Sequence, residues 1–494
     1  MKLNHIELPK EKIILENFVN GEWKSATGTE FKIDSPYFGK TIGLSRNSTI
    51  EDVEIAVKAA HSAYKSWSKK PMKERAQVLF KFRQNLIDRS EEIAQIISLE
   101  NGKTLSESRA GIAKGVEVLE YALSLQNIDQ GGKMEVSRGV FCEYRRRSLG
   151  VVLSITPFNF PAMVPMWTIP IAIALGNSYV WKPSEKTPLT SKWITQSFSD
   201  AGLPAGVLTV VQGGRESTEA LIDHPLIKAV GFVGSSKVAK AVYERSAKNA
   251  KRALCMGGAK NHIVLLPDAD SGITGVGISN SFTGCAGQRC MAASVLLAVG
   301  NVDNQIAAIK KTAESTTQGD KMGAIITEEQ VDFLHTALDR AVAEGATLIL
   351  DGRKSEKPSD YKDGFWLGPT ILDNVKPNSQ AACDELFGPI LSIVRVDNIT
   401  EAMRIENSNP YGNACSVFTS SGPLAEEVLS QATAGMLGVN IGVPVPREPF
   451  SFGGIFDSKY GHGEITGPGS LDFWSDQVKL TTKWEKQNDE TWMS

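Results

Sequence analysis

The chain has 494 residues, more than one hydrophobic core holds, and its 41% hydrophobic and 22% charged residues are the balance of a soluble globular protein. A formal net charge of −3 gives no electrostatic reason to expect nucleic acid or an anionic membrane as a partner. Six cysteines without a Cys-x-x-Cys pair argue against a disulfide framework and a zinc site, so no metal is expected.

The N-terminal stretch MKLNHIELPKEKIILENF mixes acids with bases and lacks the apolar core of a signal peptide. No apolar run approaches the roughly 18 residues that a membrane span needs. The expected compartment is a reducing cytoplasm. Thr49 is placed to cap a helix in which Val53, Ala56, Val57, Ala60, Tyr64 and Trp67 recur at helical spacing. Gln77 to Leu99 continues in that style and meets a stop at Asn101-Gly102. Arg145, Arg146 and Arg147 form the compact basic run and read as a solvated strand face.

From residue 149 the texture changes. Val151–Ile155, Ile169–Leu175, Ser178–Trp181, Gly206–Val211 and Ala229–Val233 are short apolar runs alternating with helical segments, the pattern of parallel βαβ units. Gly213-Gly214 and Gly234-Ser235-Ser236 each follow a strand-like run and precede a helix-like one. A second block starts near Gly257, with strands over His262–Leu266, Val295–Val299 and Ala346–Leu350 and a helix over Glu328–Glu344. The tail from Leu471 to Trp484 reads as an isolated strand with no local partner, an edge that invites pairing across a subunit boundary. The fold class is therefore α/β, with two α/β domains and a small pairing element.

Chemistry concentrates around Cys290, in the run FTGCAGQRC from Phe282. Glycines and small residues there let a ligand approach the backbone. A nucleophilic cysteine needs access and positive surroundings, and Arg289 supplies charge; for any lone cysteine a buried structural role is the alternative. Cys285 reads as a small core residue and His262 as a core histidine without a role. Gly275-Val276-Gly277-Ile278-Ser279-Asn280 lacks the last glycine of a dinucleotide fingerprint and is assigned to a helix.

Six segments then follow in order: TPFNFP from Thr156, WKPSE from Trp181, FVGSS from Phe232, GGAKN from Gly257, Cys290, and ELFGP from Glu385. Together they resemble the aldehyde dehydrogenase superfamily, over about Phe18 to Trp484. The resemblance implies a Rossmann-like NAD-binding domain (1–125 and 149–257), an α/β catalytic domain (258–450) and a small β oligomerisation element (126–148 and 466–494). It implies Cys290 as nucleophile, with the Asn159 amide and the Cys290 N–H as an oxyanion hole. On the cofactor side it implies Thr156, Phe158, Lys182, Ser184 and Glu185, with Glu185 on the ribose favouring NAD over NADP. Gly234 and Ser235 match the pyrophosphate-binding helix start, and Glu385 with Phe387 the nicotinamide ribose contact.

Hydrolytic members place a glutamate four residues before the lysine of the Gly-Gly-Lys segment, and here that position is Met256. A thioether cannot serve as a general base, so a thiol acceptor such as coenzyme A fits better than water. NFPAMVPMW from Asn159, GAKNH from Gly258, GQRCMA from Gly287, GMLGVN from Gly435 and PVP from Pro444 resemble the CoA-acylating methylmalonate-semialdehyde dehydrogenases. That branch takes a short carboxylated aldehyde and yields an acyl-CoA, NADH and carbon dioxide or bicarbonate. Arg289 matches its carboxylate contact, Lys114 stands where it carries an arginine, and Arg447 adds a cation near the pocket mouth. The sequence thus predicts oxidation of malonate or methylmalonate semialdehyde, with a hydrolytic enzyme acting on another anionic aldehyde as the alternative. The resemblance also implies homodimers or homotetramers.

Overall fold

Thr49 accepts from the Asp52 N–H and its own N–H is taken by the Asp52 carboxylate, a capping box that opens helix Ile50–Trp67. Its buried face is Val53, Ala56, Val57, Ala60 and Trp67, as the spacing predicts. In the computed structural model, which describes residues 6–128 and 131–484, the Gln77–Leu99 stretch is two helices, Met72–Asp88 and Ser90–Asn101. The break falls at Arg89, whose guanidinium turns to Asp200. Ser90, Glu91 and Glu92 restart the helix with an acidic first turn that suits its dipole. Residues 1–5, 129–130 and 485–494, parts of the predicted first segment, pairing element and tail, lie outside the described residues.

An eight-stranded sheet has five parallel strands at its centre. In space they run Arg252–Met256, Ile227–Val233, Val151–Ile155, Ser178–Lys182 and Leu208–Val210. Numbered along the chain this is the order 3-2-1-4-5 of a doubly wound nucleotide-binding sheet. Four of the predicted apolar runs are in it. Ile169–Leu175 is not: it belongs to helix Met163–Ala174, buried on every side despite Pro170 within it. An apolar run buried all round carries no periodicity by which a helix and a strand differ.

A seven-stranded sheet follows, parallel except at the Thr347–Leu350 edge. Its central strands are Asn261–Leu265 and Ala293–Val299, flanked by Ile390–Val396 and Ala414–Phe418. Helix Glu328–Ala343 packs where the sequence places it, and Gly275–Asn280 lies inside helix Ser271–Thr283. Among the described residues no helix is long and apolar enough to cross a membrane.

The tail strand Ser475–Lys483 is not isolated. It pairs antiparallel with Val140–Ser148 over its whole length, and Gly132–Ser137 completes a three-stranded sheet. The arginine run lies on this sheet, with Arg145 and Arg147 exposed and Arg146 paired with Asp472 at 2.8 Å. Two side chains dock the tail. Arg252 donates to the carbonyls of Asp472, Phe473 and Ser475 and pairs with Asp476 at 2.6 Å. Asn177, fully buried, accepts from the N–H groups of Leu149 and Gly150 and donates to the carbonyls of Ala172 and Trp474, at 2.8–3.2 Å.

Asn177→Ala leaves the Leu149 and Gly150 N–H groups and the Trp474 carbonyl without that amide, at roughly 1–3 kcal/mol for each one left unpaired, while the Ala172 carbonyl keeps the backbone N–H of residue 177. Urea unfolding of this variant is expected to show a loss of about 3 kcal/mol or more. An unchanged midpoint would show that the amide does not hold the tail.

Candidate active site

The two large sheets are joined end to end. Strand Arg252–Met256 leads into strand Asn261–Leu265 through residues 257–260 alone. The carboxyl ends of the first sheet therefore meet the amino ends of the second. At the first edge, the strand order reverses between Val151–Ile155 and Ile227–Val233, the position where open α/β sheets bind ligands. The TPFNFP turn and Gly234-Ser235 emerge there. At the second edge stand Cys290, Glu385 and Asn413, each shortly before a strand.

The loop carrying Cys290 leaves helix Ser271–Thr283 through Cys285, Ala286 and Gly287, all left-handed at φ 53°, 52° and 70°. Such a conformation costs a residue with a Cβ about 1–2 kcal/mol, so neighbours have to enforce it. Glu107 takes the Cys285 N–H. Gln288, buried, donates to the carbonyls of Cys285 and Ala324 and accepts from the Ile326 N–H. A Cβ on Gly287 would lie 2.0 Å from the Gly388 carbonyl oxygen, so only glycine lets the ELFGP segment press against this loop. The Cys290 carbonyl accepts from the buried amides of Asn261 at 2.7 Å and Asn413 at 2.8 Å. Asn159 donates one Nδ2 hydrogen to the Gln288 carbonyl at 3.0 Å and has a second Nδ2 hydrogen to give.

Electrostatics around the thiol differ from the sequence expectation. Burial pushes Cys290 up to about 12, and the Glu385 charge adds to the rise; its own N–H, Arg289 and Lys103 pull the other way and lose. Arg289 spends its Nη2 on the carbonyls of Asn280 and Ser281, which end a helix. Lys114 pairs with Glu117 at 2.8 Å and Glu448 at 3.2 Å, and the exposed Arg447 stands 3.9 Å from Glu117. The structure thus ties two of the three expected substrate cations to protein carboxylates.

The expected cofactor residues draw together along the first edge. Phe158 and Phe387 meet edge to face, ring centres 5.8 Å apart. Thr156 accepts from the Trp181 indole at 2.8 Å, and Ser184 accepts from the Lys186 N–H. Lys182 reaches the Gly213 carbonyl at 2.6 Å and Glu185 at 3.2 Å. Burial raises the Glu185 carboxyl, but the Lys182 charge and hydrogen bond, its own N–H and the Lys186 charge together outweigh it and hold the group below its ordinary value. A groove of about 330 Å³ opens beside Glu185, lined also by Phe31, Asn47, Lys186 and Ile326. Ser235 stands at the N-cap of helix Ser236–Lys248 without a side-chain cap bond, which leaves N–H groups for an anion. Ser236 accepts from the Gly258 N–H at 2.9 Å. Glu385 takes the Ala259 N–H at 2.9 Å, and a Cβ on Gly258 would fall 2.3 Å from its Oε2. The helix start and Glu385 therefore share one wall. The residues present fit a dinucleotide.

A model of the aldehyde dehydrogenase family matches residues 23–479. This chain belongs to the aldehyde dehydrogenase family. Malonate-semialdehyde dehydrogenase 2 of Geobacillus thermodenitrificans is 38% identical over 478 residues, 95% of this chain and 99% of its own. Malonate-semialdehyde dehydrogenase of Bacillus cytotoxicus is 39% identical, with 95% and 98% covered. Methylmalonate-semialdehyde dehydrogenase of Oceanimonas doudoroffii superposes with a TM-score of 0.94 at 33% identity, over 96% of this chain and 99% of its own. A Sinorhizobium meliloti protein, provisionally assigned the same activity and solved with NAD, gives 0.94 at 35% identity, over 97% and 100%.

In this aldehyde dehydrogenase, sequence reasoning missed Asn413, Lys103 and the locking role of Gln288. Asn413 lies 123 positions from Cys290 and sits before an ordinary buried strand, so no local pattern marks it. Lys260 was no more than a motif letter. It is buried with no hydrogen-bond partner among the described residues, and burial draws its ammonium down to about 8, against Glu385, Asp384 and Cys383.

Burial raises the Glu385 carboxyl to about 7, against the Ala259 N–H and Lys260. Below that value the group is protonated and is a weaker hydrogen-bond acceptor. NAD affinity is expected to fall as pH drops through about 7, and Glu385→Gln to remove that dependence. NAD titrations at about pH 6 and about pH 8 check this; identical profiles for both proteins would take Glu385 out of the cofactor site.

Proposed function

We propose that this aldehyde dehydrogenase oxidises malonate semialdehyde or its methyl homologue with NAD, and hands the acyl group from Cys290 to coenzyme A. The observation that carries the second half is Met256. It is buried at the end of strand Arg252–Met256, where hydrolytic members carry the glutamate that activates water. The names of the relatives favour the substrate class.

Cys290 Sγ forms a bond to the aldehyde carbon, and the carbonyl oxygen takes the charge. The free Asn159 Nδ2 hydrogen and the Cys290 N–H stabilise that oxygen, each worth on the order of 3 kcal/mol in such sites. When bound, NAD supplies the hydride acceptor and a positive ring that favours the thiolate. Loss of the hydride leaves a thioester on Cys290. A CoA thiolate then adds to the thioester carbon and expels the Cys290 thiolate, a step that needs no base as strong as water requires because a few per cent of a free thiol is already ionised.

The doubly wound sheet, with 1–125 and 149–257, is read as the NAD-binding domain, and 258–450 as the catalytic domain. The three-stranded sheet exposes Met134 on one face and Val478 and Leu480 on the other, apolar surface that fits assembly into homodimers or homotetramers. Six free cysteines fit a reducing cytoplasm.

NADH formation from malonate semialdehyde, with and without CoA, tests the reading. The expected result is a burst of about one NADH per subunit without CoA and sustained turnover with it. Steady turnover without CoA would make the enzyme hydrolytic despite Met256.

A further inference from the structure

A short carboxylated aldehyde brings a negative charge within two carbon–carbon bonds of the carbon that Cys290 attacks. Two of the cations expected to meet it, Lys114 and Arg447, are paired with Glu117 and Glu448. Arg289 donates to two backbone carbonyls, its Nε is buried without an acceptor, and among the described residues its charge has no carboxylate partner within 4.0 Å.

Lys103 is another such cation among the described residues. It is only 4% exposed, and no carboxylate lies within 4.0 Å of its ammonium among the described residues. Asn101, two residues earlier, donates to the Phe158 carbonyl at 2.8 Å and clasps this segment onto the turn that presents Asn159. The Lys103 ammonium stands 4.0 Å from the centre of the Phe160 ring, next to Asn159. Glu107, one turn further on, is taken up by the N–H groups of Cys285 and Thr104 and the Thr104 hydroxyl. The Lys103 ammonium hydrogen-bonds the Cys285 thiol, and the Lys103 and Arg289 charges favour the thiolate at both Cys285 and Cys290. A buried ammonium without a protein counter-ion is costly, and an anionic ligand offsets that cost.

We propose that Lys103 receives the carboxylate of the aldehyde substrate, together with Arg289, and so sets the preference for a carboxylated aldehyde. This rests on the substrate class proposed above. The phenyl face of Phe160 holds the ammonium without neutralising it, which keeps the charge for the ligand. A lysine acts as a point charge, so the carboxylate can turn against it more freely than in an arginine fork.

Steady-state kinetics with malonate semialdehyde and uncharged propanal test the proposal on the wild type, Lys103→Met and Lys103→Arg. The wild type is expected to prefer malonate semialdehyde. Lys103→Met should raise its KM by about tenfold or more and lower the ratio of its kcat/KM to that for propanal by a similar factor, with Lys103→Arg in between. Malonate, which carries carboxylates and no aldehyde, should inhibit the wild type competitively and lose potency against Lys103→Met. NAD binding by intrinsic fluorescence shows whether each variant is folded, and Lys103→Arg keeps the test open if the methionine variant is not. A methionine variant that keeps its preference, or loses both aldehydes equally, overturns the role of Lys103. A wild type that does not prefer the carboxylated aldehyde overturns the substrate class, and Lys103's part in it with it.

Discussion

The site depends on one close approach of backbone to backbone. Gly287 lies against the Gly388 carbonyl so tightly that no Cβ fits between them. That contact sets the Cys290 loop against the segment carrying Glu385 and Phe387, and so brings the thiol and the Glu385 carboxylate to the same place. The left-handed pair Cys285 and Ala286 is how the chain gets there from helix Ser271–Thr283. Glu107, Gln288, Asn261 and Asn413 are what hold it, each by hydrogen bonds to backbone that would otherwise be buried unpaired. The strain is local, and the bonds that enforce it come from four distant stretches of sequence.

The same burial decides the charge states. It pushes Cys290 and Glu385 up, to about 12 and about 7, and His262 and Lys260 down, to about 3 and about 8. Each moves toward its neutral form, as a low-dielectric site requires. His262 is therefore a neutral core histidine. Cys290 differs from the others, because the nucleophilic role proposed for it needs the charged form that the protein alone disfavours.

Much of this was legible in the sequence, for identifiable reasons. The first sheet could be read because its strands are buried on both faces and separated by helices, and the capping box at Thr49 is a local signal. The turns at Thr156, Gly234 and Glu385 were legible as motifs, since their function needs particular residues at fixed spacing. Three things were not. Ile169–Leu175 is apolar in either conformation, so only tertiary packing makes it helix. The tail strand found its partner more than three hundred positions away, within its own chain. Charge pairing was hidden as well: nothing local says that Glu448 claims Lys114, or that Lys103 is left with no carboxylate among the described residues.

The central claim is a covalent acyl group on Cys290, and the direct measurement is mass analysis of the enzyme quenched after one turnover with malonate semialdehyde and NAD. The account predicts an acyl adduct on the peptide containing Cys290, cleared when CoA is added before the quench. NADH formation with that peptide unmodified, or with the adduct on Cys285, would contradict it.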